Sequence, residues 1–88
     1  MSPKEKAEEG LRLLKEAVCE YLAEHPPRVL ATDVRDALRL WSADPKDDHK
    51  DSLFRGVIYT LMTDREVDLQ KIDGRNYLAL VHQPEANA

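Results

Sequence analysis

The chain has 88 residues, of which 42% are apolar and 34% charged, with a formal net charge of −4. That length fits one domain and one compact core burying roughly 60% of the unfolded chain's surface. No run of 18 apolar residues is present, so a membrane-spanning helix is excluded, and the charged start MSPKEKAEEG lacks the apolar stretch of a signal peptide. The single cysteine, Cys19, has no intramolecular partner and points to a reducing, cytoplasmic setting. An acidic chain is not an indiscriminate binder of nucleic acid, which takes a basic excess. The acid is unevenly spread, however. Residues 1–27 carry four Lys/Arg and six Asp/Glu, whereas residues 49–66 carry three of each.

Ser2-Pro3-Lys4-Glu5 is a helix start: Ser2 caps, Pro3 takes the first helical position, and Glu5 completes a capping box. Leu11, Leu14, Val18, Tyr21 and Leu22 then recur at helical spacing. Glu8–Arg12 and Arg12–Glu16 are expected as i,i+4 pairs. Pro26-Pro27 stops the helix near Glu24. About 22 residues make a helix roughly 33 Å long, more than a small core can cover. Its first turns are therefore either a solvated end or a dimerisation arm, with Ala7, Leu11 and Leu14 as a modest stripe.

Arg28-Val29-Leu30 reads as a very short strand. Thr32 is the expected cap of a second helix over about Asp33 to Trp41, with Val34, Ala37, Leu38 and Trp41 on its core face. Trp41 is expected to close the core against the third helix. Arg35 and Arg39 are expected on the outer, solvated face, balanced by Asp33 and Asp36. Ser42 to His49 is a loop, and Asp48 or Asp51 caps the third helix. The acids of the loop do not make a calcium site: counted from Asp44, the positions requiring Gly and Glu hold His49 and Arg55. No bound metal is expected.

The third helix is the informative one. Leu53, Phe54, Val57, Ile58 and Leu61 fall within an arc of about 140° and are expected to face the core. The opposite side holds Ser52, Arg55, Gly56, Tyr59 and Thr63, with no acid in a chain where acids outnumber bases. Gly56 in mid-helix costs roughly 0.5–1 kcal/mol relative to Ala. Either that face closely approaches another surface, or the glycine is incidental. Thr63 to Glu66 breaks the helix, and Asp73-Gly74 signals a type I′ hairpin. A two-residue turn pairs Ile72 with Arg75, Leu69 with Leu78 and Val67 with Leu80. Val67, Leu69, Leu78 and Leu80 then share one face, and Asp68, Gln70, Ile72, Arg75, Tyr77 and Ala79 the other. Residues 83–88 read as a loose tail.

The order helix, strand, helix, loop, helix, strand, turn, strand over residues 2–82 resembles a winged helix-turn-helix domain, an α+β fold with mainly helical content. Val57-Ile58-Tyr59-Thr60-Leu61-Met62-Thr63-Asp64-Arg65-Glu66-Val67 is similar to the passage from helix 3 into the wing in that superfamily, which often reads as an apolar pair, Tyr, a polar residue, Leu, a polar stretch with Gly, then Val. Asp73-Gly74-Arg75-Asn76-Tyr77 resembles its wing turn. The chain departs in having Arg65 where Gly is common, and in a very short wing. The resemblance implies double-stranded DNA as partner, with helix 3 in the major groove and the wing on the backbone. Carried over by position, Ser52, Arg55 and Tyr59 face DNA, with Thr63 at the edge; Lys50, Lys71, Arg75 and Asn76 contact phosphates. Many members dimerise through helix 1 or a terminal helix, so a homodimer is a further implication. A winged helix that binds only protein is the competing expectation.

Enzymatic chemistry is not expected. Cys19 has no histidine within a helical turn, and His25, His49 and His82 lack metal-ligand spacing. Gly10, Gly56 and Gly74 are isolated, so no phosphate loop exists and no cofactor is implied. A core this small also leaves little room for a ligand pocket of ~300 Å3.

Overall fold

A computed structural model describes residues 2–40 and 48–82, the side chains of residues 48–51 excepted. The expectations for Trp41, most of the 42–49 loop, the cap of the third helix, the Lys50 side chain and the 83–88 tail lie outside those residues. The fold is α+β and mainly helical: α1 (Pro3–Glu24), β1 (Val29–Leu30), α2 (Ala31–Ala37), α3 (Asp48–Thr63), β2 (Val67–Ile72) and β3 (Arg75–Leu80). The three strands form an antiparallel sheet in the order β1-β3-β2.

α1 starts as its sequence dictates. The Ser2 hydroxyl oxygen accepts from the Glu5 backbone N–H at 3.2 Å and donates to the Glu5 carboxylate at 3.1 Å. At the other end the His25 ring stacks on Tyr21, centroids 4.3 Å apart. Only the C-terminal half of α1 is held by the body. Val18 and Leu22 are buried and Leu14 and Tyr21 half-buried, while Ala7 is exposed and Leu11 is 40% exposed. The expected Glu8–Arg12 pair is replaced: the Arg12 guanidinium pairs with Glu9 and Glu16, and Glu8 lies 4.0 Å from Lys4. Both i,i+3 and i,i+4 spacings place side chains side by side, so Glu9 and Glu16 can both reach the guanidinium.

α2 departs from expectation at both ends. β1 runs straight into it, so Leu30 occupies the cap position with no side-chain hydrogen bond, and Thr32 lies inside the first turn. The helix stops at Ala37 because Arg39 adopts φ 57°. The Leu40 N–H reaches the Arg35 carbonyl at 2.9 Å and the Arg39 N–H reaches that of Asp36 at 3.0 Å, a Schellman closure. Leu38 and Leu40 then pack on the core. α3 ends in the same way. Arg65 takes φ 59°, with Glu66 N–H to Leu61 C=O at 2.9 Å and Arg65 N–H to Met62 C=O at 3.0 Å. The arginine standing where glycine was expected therefore does adopt a left-handed conformation. α3 begins at Asp48, inside the stretch expected as loop.

The hairpin has the expected register: Val67 opposes Leu80, Leu69 opposes Leu78, and Ile72 opposes Arg75. Asp73 and Gly74 both have positive φ, 52° and 78°, as a type I′ turn demands. β1 pairs with the far side of β3 through Val29–Leu78 and Leu30–Tyr77. The core gathers Val18 and Leu22 of α1, Val34 of α2, Phe54, Val57, Ile58 and Leu61 of α3, and Val67 and Leu78 of the sheet. Leu53 is a correction: it is 45% exposed. A helical wheel assigns direction but not depth, and Leu53 lies a turn from the start of α3, at the margin of the packed face. Leu69 is likewise 40% exposed although its sheet face is the apolar one.

Candidate functional site

α3 turns Ser52, Arg55, Gly56, Tyr59 and Thr63 outward, all exposed, with Tyr59 at 65%. Two of these positions have further local constraints. The Thr63 hydroxyl donates to the Tyr59 carbonyl and the Thr60 hydroxyl to the Gly56 carbonyl, each at 2.9 Å. Thr63 therefore offers an outside ligand an acceptor rather than a free donor. A Cβ built on Gly56 meets nothing within 4 Å, so no intramolecular crowding requires glycine there.

A groove of about 330 Å3 runs between α2, α3 and the hairpin. Arg55 and Tyr59 of α3 and Asn76 of β3 line it, so three of the expected contact residues meet on one concave surface. Its floor is apolar, with Phe54, Ile58, Leu69 and Leu78. Thr32 and Arg35 of α2 also line the wall. Arg35 is a correction, since its side chain is only 20% exposed, bonds Asp36 at 3.2 Å and borders this groove rather than a solvated outer face. Its place follows from the packing of α3 and the hairpin beside α2, which helical periodicity alone does not reveal.

The hairpin separates the three residues expected at its tip. Lys71 and Asn76 are cross-strand partners, and strand alternation puts them on the face of Leu69 and Leu78, toward the helices. Arg75 opposes Ile72 on the other face, the one that carries Tyr77. There the Arg28 guanidinium lies 5.7 Å from the Tyr77 ring centroid, a cation–π contact on the side away from the groove. Strand alternation contains this split of Lys71 and Asn76 from Arg75. Ser52 and Thr63 stand outside the groove on the exposed side of α3, and the side chain of Lys50 lies outside the described residues.

A second groove, of about 560 Å3, follows α1. Lys15 and Cys19 line it. The Lys15 ammonium donates to Asp64 Oδ2 at 2.7 Å, and this bond raises the lysine above its ordinary 10.5. Burial, and then the nearby Glu66 carboxylate, push the Cys19 thiol above its ordinary 9.0, the reverse of an activated nucleophile. Among the described residues, no group of three or more His, Cys, Asp or Glu side chains is placed to hold a metal ion, and no helix is long and apolar enough to cross a membrane. No protein-family model, curated protein or solved structure matches the chain.

Proposed function

We propose that residues 2–82 form a winged helix-turn-helix module that binds double-stranded DNA, as a small transcriptional regulator or as the DNA-reading part of a complex. α2 and α3 are the helix-turn-helix pair, and β2–β3 is the wing. The observation that carries the reading is the α3 surface: Ser52, Arg55, Gly56, Tyr59 and Thr63 are exposed without an acid among them, on a chain of net charge −4. The three-stranded sheet, ordered β1-β3-β2, supports the reading by setting Lys71 and Asn76 on the α3 side of the hairpin. Arg55 is the base reader, its guanidinium suited to the two major-groove acceptors of guanine. Ser52 and Tyr59 flank it, and Lys50, Lys71 and Asn76 hold phosphates. Arg75 reaches the backbone only from the outer face of the hairpin.

The test is a titration against a randomised duplex pool across a salt series. Selection of a consensus, with affinity falling as salt rises, is the expected result. Arg55→Ala should cost ~1–3 kcal/mol on the selected site. Unchanged binding by that variant removes Arg55 from base reading. The apolar floor formed by Phe54, Ile58, Leu69 and Leu78 favours a second reading, a winged helix that docks a protein segment between α3 and the hairpin. Absence of any duplex binding at ~50 mM salt, where phosphate contacts are strongest, selects that reading instead.

A further inference from the structure

We propose that the 330 Å3 groove between α2, α3 and the hairpin takes an acidic segment of a partner protein, whose apolar side chains enter it. This inference rests on the protein-docking reading of that groove and adds the chemistry of the occupant. It starts from the shape of the floor. Phe54, Ile58 and Met62 recur at i, i+4 and i+8 along α3, so they form one line about 12 Å long at 1.5 Å per residue. Leu69 and Leu78 of the hairpin flank that line. Phe54, Ile58 and Leu78 are buried, but Leu69 is 40% exposed, so the floor is open to solvent on the hairpin side. The volume lies at the small end of the ~300–1,000 Å3 of ligand sites, room for a few side chains rather than a whole helix.

Charge decides the sign of the occupant. Arg35 and Arg55 stand on the walls, and among the described residues no carboxylate lines the groove. Lys71 is the cross-strand partner of Asn76 and shares its face of the hairpin. A basic rim here runs against the balance of a chain with net charge −4. The Asp36 carboxylate bonds Arg35 and offsets part of its charge, so Arg55 and Lys71 carry most of the attraction. Thr32 and Asn76 add neutral polar groups that suit a peptide backbone. Single-stranded nucleic acid, an anion of another kind, would stack its bases on aromatic rings. Among the described residues, Tyr59 is the one exposed ring at this groove; Phe54 is 6% exposed and the rest of the floor is aliphatic. Apolar side chains set between carboxylates match that surface better than a run of bases.

The test is selection of random peptides of roughly 12 residues, displayed on phage, against the folded full chain, with Leu69→Ser as the counter-target. Selected peptides are expected to be enriched in Asp and Glu around large apolar residues. One of them, carrying a fluorescent label, is then titrated by anisotropy, with circular dichroism to confirm that each protein variant is folded. Replacing its acids by Gln should weaken binding about tenfold, and replacing its apolar residues by Ser should abolish it. Arg55→Glu and Lys71→Glu should each weaken the acidic peptide about tenfold and strengthen a version with Lys in place of the acids, a gain that loss of folding cannot produce. Enrichment of neutral or basic apolar peptides keeps the docking reading and overturns the acidic partner. Selection of no peptide at all overturns both. A labelled single-stranded oligothymidine that binds more tightly than the peptide, and loses its affinity in Leu69→Ser, assigns the groove to nucleic acid and also overturns the proposal.

Discussion

Lys15 and Asp64 join the middle of α1 to the turn after α3, with Nζ to Oδ2 at 2.7 Å across 49 residues of sequence. Both side chains keep solvent contact, 25% and 43% exposed, so screening limits the bond. Replacing Lys15 by Met should cost ~0.2–1 kcal/mol in urea unfolding at neutral pH. The Asp64 bond raises the lysine's pKa in the folded state. Its contribution is thus fully present below the unfolded value and is lost as pH rises through the higher folded value. The stability gap between wild type and Lys15→Met should close in strongly alkaline buffer. A gap that persists there would assign the effect to packing of the lysine stem.

Gly56 separates stability from recognition. Open space around its absent Cβ means that Gly56→Ala should stabilise the isolated chain by ~0.5–1 kcal/mol, read as a higher denaturation midpoint. If α3 lies against DNA, the same methyl group should weaken binding to the selected duplex. A variant both more stable and equally tight would show that the glycine is incidental.

Two arginines terminate helices in a conformation better suited to glycine. Arg39 and Arg65 hold φ 57° and 59° while closing α2 and α3. Arg65→Gly should therefore gain roughly 0.5–1 kcal/mol, the relief of the left-handed strain exceeding the extra unfolded-state freedom of glycine. Arg65→Val should lose stability, since a β-branched residue tolerates positive φ least. Thermal unfolding of the pair in one buffer tests the contrast, and equal midpoints would mean the strain is absent.

α3 should show a steep gradient of substitution costs. Leu61, fully buried, should cost ~2–5 kcal/mol on truncation to Ala. Leu53, 45% exposed on the same nominal stripe, should cost under ~1 kcal/mol. Denaturant midpoints of the two variants measure the difference, and comparable losses would place Leu53 in the core after all.

Cys19 should resist alkylation. Burial first, then Glu66, disfavours its thiolate, so iodoacetamide at mildly alkaline pH should modify the folded chain more slowly than the chain in urea. Equal rates in the two states would show an open, unperturbed thiol.

Local chemistry made much of this fold readable. Ser2, Pro3 and Glu5 specify where α1 begins, and the prolines at 26 and 27 where it must end. Asp73-Gly74 sets the hairpin register, and alternation then decides which strand residues face inward. The failures came where one element's limits depend on another. Thr32 caps nothing because β1 leaves no gap before α2. Arg35 borders a groove because α3 and the hairpin come up against that side of α2, and α2 itself ends early, at a left-handed arginine that no local signal marks. Leu53 follows the wheel but falls at the margin of the packed face. At the site, the outward side of α3 that carries Ser52, Arg55, Gly56, Tyr59 and Thr63 was legible from periodicity alone. The groove shared by Arg55, Tyr59 and Asn76 was not, since it arises from how the hairpin lies against α2 and α3.

The central place of β3 has a consequence for how the chain assembles. Its pairing with β2 crosses a two-residue turn, whereas its pairing with β1 joins Val29 to Leu78, roughly fifty residues apart. The hairpin contacts are local and inexpensive to close, while the β1 contacts cost the entropy of a long loop for two residue pairs. We expect hairpin substitutions such as Leu69→Ala to slow folding and β1 substitutions such as Val29→Ala to speed unfolding, a contrast that φ-values read directly. High φ-values at Val29 would refute the order. On this pathway β1 is the clasp that closes last, drawing α1 and α2 onto a hairpin already formed.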